Sequence, residues 1–185
     1  MGGVERLLVS YERHISIPWD PRLAGAQRVW FALYDPPDER RLRCRIEEFG
    51  RVTMEAGHGW RHKDLTDLFP QWMAEHEYRE SYFEEPELID GSAMAGFAEY
   101  VIRTVSGALS APEADENSVV AFSGLGSLYG LIRFSAVLEQ VNTRIVGRML
   151  AFFPGEFDNS NYRLYGARDG WNYHAVPITA QESVG

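Results

Sequence analysis

The sequence predicts an α/β fold: a single three-layer domain with a mostly parallel sheet of about five strands and helices on both faces. Three observations carry that expectation. Apolar runs of strand length recur at Val29 to Tyr34, Val119 to Phe122 and Met149 to Phe153, and unbroken runs of this kind suit strands covered on both faces. Stretches with helical apolar spacing separate them, the pattern of parallel strands joined by crossover helices. The length of 185 residues, 45% of them hydrophobic, fits one core. Within residues 1–185 the expected parts are an N-terminal amphipathic helix over 3–15, a Rossmann-like sheet domain over 27–179 and a short tail over 180–185.

In chain order, Val4, Leu7, Leu8, Tyr11 and Ile15 share one helical face, and Pro18 and Pro21 end that helix. After the strand Val29 to Tyr34, Asp35-Pro36-Pro37-Asp38 breaks the chain. Asp38 is placed to cap a helix lined by Leu42, Ile46 and Phe49. A weaker strand is expected over Lys63 to Phe69, then a helix around Trp72 and Met73. The acidic stretch EHEYRESYFEEPELID, residues 75–90, reads as a helix end and a loop. A long helix then turns Met94, Phe97, Val101, Val105 and Leu109 inward. Beyond the polar linker APEADENS come the strand Val119 to Phe122, a glycine turn, and a helix carrying Leu128, Leu131, Ile132, Ser135 and Leu138. Met149 to Phe153 and Trp171 to Ile178 supply the last strands, with a turn-rich segment between them.

Charge and composition narrow the function. No apolar run approaches the roughly 18 residues that span a bilayer, and the charged N-terminal stretch is unlike a signal peptide. Cys44 is the sole cysteine, which excludes an internal disulfide and a zinc-binding cysteine cluster. A soluble cytoplasmic protein is expected. The net charge of −9 is concentrated in residues 52–118, which hold fourteen acidic and four basic groups. A protein that grips nucleic acid needs a basic face. The one local basic run, Arg40, Arg41, Arg43 and Arg45, is interspersed with Glu39, Glu47 and Glu48 and reads as a solvated helix face. Neither a direct nucleic-acid partner nor a membrane partner is expected.

In parallel sheets ligands sit at the carboxyl ends of the strands, and that edge would collect Asp35, the glycine turn and the segment PGEFDNSNYRLYGARDG. Gly124, Gly126 and Gly130 are spaced one residue too long for the dinucleotide fingerprint, and Leu131 and Ile132 stand where a phosphate loop carries lysine. The turn is therefore expected to be structural, built from small residues that tolerate positive φ. Its alternative is a degenerate nucleotide- or phosphate-binding site over the 123–130 turn, with an anion cradle formed by the amides of Leu125, Gly126 and Ser127. Ser127 lacks the nucleophile-elbow pattern, because Leu125 takes the first glycine position. His174 lies in a strand pattern, and Cys44 lies among arginines with no histidine nearby in sequence. His58 and His62 are four apart, but Gly57 and Gly59 oppose a helix there. Glu75-His76-Glu77 reads as solvated, and Asp35 and Glu156 as caps. No catalytic residue, cofactor or metal is expected.

The segment 149–178 differs. It packs Tyr162, Tyr165, Trp171 and Tyr173 among asparagines and Arg163 and Arg168. Rigid rings and forked guanidinium groups are the material of interface cores. The partner-binding candidates are Tyr162, Arg163, Arg168 and Trp171, with the acidic 75–90 segment as a second surface. A buried hairpin with Asn and Asp turns is the compatible plainer reading.

The stretches LAGAQRVWFALYDPPDERRLR, VVAFSGLGSLYGLIR and, most specifically, FFPGEFDNSNYRLYGARDGWNYHAVPI resemble the BrxB family of bacterial BREX phage-defence systems. The resemblance runs from Ile15 to Ile178. It implies a part in restricting phage beside a methyltransferase, a large ATPase and the alkaline-phosphatase-like protein PglZ. The role it implies is a non-enzymatic adaptor or scaffold that binds a PglZ-like partner. No catalytic residue is carried over by it.

Overall fold

The computed structural model describes residues 2–166 and 172–180. The elements run α1 (Gly3–Ile15), β1 (Val29–Tyr34), α2 (Glu39–Arg43), α3 (Ile46–Glu55), β2 (Gly59–Asp64), α4 (Leu68–Glu75) and α5 (Arg79–Glu84). They continue with α6 (Gly91–Leu109), β3 (Ser118–Ser123), α7 (Phe134–Val141), β4 (Arg148–Asp158), β5 (Asn161–Leu164) and β6 (Val176–Ile178). The strand order is β2-β3-β4-β1-β6, with β5 added to β4 outside that path. The five strands of the path pair in parallel, and β5 pairs antiparallel with the outer end of β4. The expected α/β sheet with helices on both faces is present.

Period-two alternation divides β1, β3 and β4 between two cores. Phe31, Leu33, Val120, Phe122, Met149 and Phe153 pack with α4, α6 and α7. Trp30, Ala32, Tyr34, Val119, Ala121, Leu150 and Phe152 pack with α1, α2 and α3. The split follows from handedness. The β1-to-β2 connection runs along the sheet opposite to those from β2 to β3 and from β3 to β4. Right-handed crossovers in opposite directions place their helices on opposite faces. Each large side chain sequestered this way contributes roughly 1.5–3 kcal/mol, so these three strands read as continuous apolar runs.

Four expectations need correction. The second strand is Gly59–Asp64 rather than Lys63 to Phe69. It is a sheet edge with mostly exposed residues, so no apolar run marks it, and Thr66 turns back onto Asp64 to end it. The helix after Asp38 is two helices, α2 and α3, broken at Cys44 and Arg45; Leu42, Ile46 and Phe49 nevertheless face one core. The glycine turn does not open a helix at Leu128. A 3-10 turn over Leu125–Leu128 gives way at Gly130, whose φ is +78°, and α7 starts only at Phe134. The 75–90 stretch, expected as a helix end and a loop, follows the end of α4 with a separate helix, α5, and a 3-10 turn over Pro86–Leu88.

Candidate functional site

The carboxyl ends of the parallel strands carry a connected polar network. Tyr34 closes β1, and its hydroxyl donates to the Glu39 carboxylate on α2. Glu39 Oε1 accepts from Arg43 Nε at 2.8 Å, and Arg43 Nη1 reaches Asp64 Oδ2 at 3.2 Å, at the last residue of β2. Arg43 Nη2 donates to Thr66 Oγ1. Asp64 Oδ1 accepts from the Thr66 amide at 2.9 Å and from its hydroxyl at 2.5 Å. Two residues before Asp64 and on the same strand face, His62 Nε2 lies 2.8 Å from Ser123 Oγ.

Electrostatics keep this network matched. Burial pushes the Tyr34 hydroxyl far up, and the bond to Glu39 pushes it further, so it stays protonated. Burial acts to raise Asp64, but its bonds from Thr66 and the Arg43 charge outweigh that and hold the carboxyl below its usual range. Arg43 therefore spends its fork on Glu39, Asp64 and Thr66, and would have to leave them to grip a phosphate. Ser123 has a histidine beside it as a nucleophile would, yet it is buried. Among the described residues no group of three or more His, Cys, Asp or Glu is placed to hold a metal ion.

The glycine turn is filled by its own chain. Gly124 is left-handed, φ +78°, and seats the end of β3 on Thr66 and Asp64, where a β-carbon would collide with the Thr66 amide. Leu125 is buried, and the Ser127 amide donates to the Gly124 carbonyl at 3.0 Å. Tyr165 lies over Gly126, whose β-carbon would overlap its hydroxyl. A close approach between chain segments explains the small residues here.

Beyond the sheet, β4 runs on through Pro154 and Gly155 into a hairpin with β5, in which Glu156 faces Arg163 and Phe157 faces Tyr162. Asn159 and Ser160 both have positive φ, 47° and 65°, as a two-residue hairpin turn requires. The structure moves Tyr162 from candidate anchor to core. It is fully buried, its ring meets Phe31 edge-on at 4.5 Å, and its hydroxyl donates to the Ala175 carbonyl at 2.6 Å. Arg163 is half-buried, with Nε enclosed and no hydrogen-bond partner among the described residues. Arg168 and Trp171 lie outside the described residues. The aromatic surface is instead made by Phe157, Tyr165 and Tyr129, 39%, 41% and 51% exposed, with the two tyrosines edge-on at 5.3 Å. Phe157 and Tyr129 escaped the sequence reading, since hairpin register and the fold of the glycine turn decide their exposure. The Arg40–Arg45 run is largely committed: Arg41 pairs with Asp38, Arg43 with Glu39 and Asp64, and Arg45 with Glu5 and Glu48.

Together these features define a doubly wound parallel α/β domain whose strand-end network is internally matched and whose projecting hairpin displays aromatic rings. A family model described as BREX protein BrxB matches residues 62–178, from β2 through β6. The chain belongs to the BrxB family, and so to the components of BREX defence systems, as the sequence motifs implied. Neither a curated protein nor a solved structure matches it. Among the described residues no helix is long and apolar enough to cross a membrane.

Proposed function

We propose that this chain is a non-enzymatic adaptor of its BREX system and that it binds a PglZ-like partner through the β4–β5 hairpin end. The observation that carries this reading is the exposed ring pair Tyr165 and Tyr129, with Phe157 exposed on the hairpin itself, at the end where a parallel sheet ordinarily receives its ligand. Large aromatics held by a rigid ladder lose little entropy on docking, which favours their use as anchors. The polar groups beneath them are matched to one another, which supports a role in presenting a surface. Membership of the BrxB family supports a BREX partner.

The test is co-purification of the tagged chain with the PglZ-like protein of the same genome, followed by sizing. A stoichiometric complex that dissociates on Phe157→Ser with Tyr165→Ser supports the reading. Separate elution of the wild-type proteins at micromolar concentration refutes the partner, and an undiminished complex from the double variant refutes the surface.

A further inference from the structure

A second surface lies on helices of the same core that seats Tyr162, between α4, α5 and the start of α6. Here a groove of about 360 Å³ has Trp72 in its floor and His76, Tyr78 and Tyr82 in its walls. The His76 ring stands 4.9 Å from Trp72 and 5.0 Å from Tyr82. Glu77 and Asp90 line the groove as well. Asp90 Oδ1 caps α6, accepting from the Ser92 and Ala93 amides at 2.9 and 3.0 Å, which leaves Oδ2 outside those two bonds.

Around the groove, residues 75–90 carry seven carboxylates and a single arginine, six of the chain's nine net negative charges. Elsewhere arginines answer acids, as Arg51 does Glu55 and Arg61 does Glu113. Here Arg79 turns its guanidinium to the Ala74 carbonyl at 2.8 Å. The same segment exposes Tyr78 and Phe83, by 57% and 71%. Aromatic faces with carboxylates at their rim match one side chain above others. A guanidinium stacks on rings and forks onto a carboxylate, whereas an ammonium stays more strongly hydrated. The local negative charge repels nucleic acid.

We infer that the α4–α5–α6 groove receives an arginine-bearing segment of a protein partner. The inference rests on the adaptor reading only in taking the occupant to be a protein.

The probe is a synthetic peptide repeating Arg-Ala-Ala, titrated calorimetrically into the full chain, with a Lys-Ala-Ala peptide beside it. The arginine peptide is expected to bind more tightly than the lysine peptide. Its affinity should fall about tenfold both in Tyr78→Ala, which keeps every charge, and in Glu77→Gln with Asp90→Asn, which keeps the helix cap. Equal binding of the two peptides overturns guanidinium recognition. Equal binding by wild type and Tyr78→Ala reduces the effect to diffuse charge attraction and overturns the groove, as does absence of binding. Capture of the PglZ-like protein is scored separately. Capture without peptide binding removes the groove and leaves the adaptor, and peptide binding without capture does the reverse.

Discussion

Tyr162→Phe separates a structural tyrosine from a partner-facing one. The substitution deletes the hydroxyl alone and keeps the ring against Phe31 and Phe157, 4.5 and 4.6 Å between centroids. The lost bond is the 2.6 Å donation to the Ala175 carbonyl, in the segment that leads into β6. A neutral intramolecular hydrogen bond contributes about 0.5–1.5 kcal/mol net, and an acceptor left buried without a partner costs about 1–3 kcal/mol. Ala175 is itself buried, so a loss of about 1–2 kcal/mol is expected. For a chain of this size that lowers Tm by about 2–8 °C. Urea unfolding should show a lower midpoint with an unchanged slope, because the surface exposed on unfolding is the same. Partner affinity should not change, since the hydroxyl is enclosed. Unaltered stability with weakened capture of the partner would refute the assignment of Tyr162 to the core.

Gly124→Ala and Gly130→Ala share a φ of +78°, but only the former meets the Thr66 backbone, while the latter faces open space. Gly130→Ala should cost about 1 kcal/mol and Gly124→Ala about 3 kcal/mol by chemical denaturation; equal costs would show that the close approach is not made. His14 packs edge-on against Trp30 at 4.5 Å, and its burial, then the Arg148 charge, hold it below the ordinary histidine range. The native state thus favours neutral imidazole, so the stability it supplies is present above about pH 6.5 and is lost as pH falls below that. His14→Gln should flatten the fall of the urea midpoint between neutral and mildly acidic buffer; an unchanged slope would assign the acid sensitivity elsewhere. Magnesium with ATP, GTP or NAD should leave Tm unmoved. A nucleotide at about 100 times its dissociation constant adds about 2.7 kcal/mol, and a shift of that order would reopen the glycine turn as a binding site.

The legible parts of the fold were those whose physics is local. β1, β3 and β4 announce themselves because both faces of each are buried, and α1 and α6 because one face is. β2 is polar, GWRHKD, since it sits at the edge and pairs with β3 alone, so its pairing left no hydrophobic trace. Pro154 and Gly155 read as breakers, yet β4 continues through both: Pro154 lies opposite Tyr34, and its carbonyl accepts from the Tyr165 amide at 2.9 Å. The site was harder. Arg43 meets Asp64, and His62 meets Ser123, across twenty-one and sixty-one positions of sequence. The docking of α2 beside the end of β2 sets the first pair, and the β2–β3 register sets the second. Tyr162 looked like an anchor because its neighbours Asn161 and Arg163 are polar, and alternation along β5 is what turns it inward.

The eleven residues of β4 form one continuous strand from the middle of the sheet to the tip of the hairpin, a span of roughly 36 Å. Its inner half lies between β3 and β1 and its outer half carries Phe157. Load applied at the tip therefore reaches the protein's interior along a single stiff rod, with no hinge loop to absorb it. A partner that clamps the hairpin would slow amide exchange far from its own footprint, in the neighbouring strands as well as in β4. The domain would register docking at one end as a tightening of its centre.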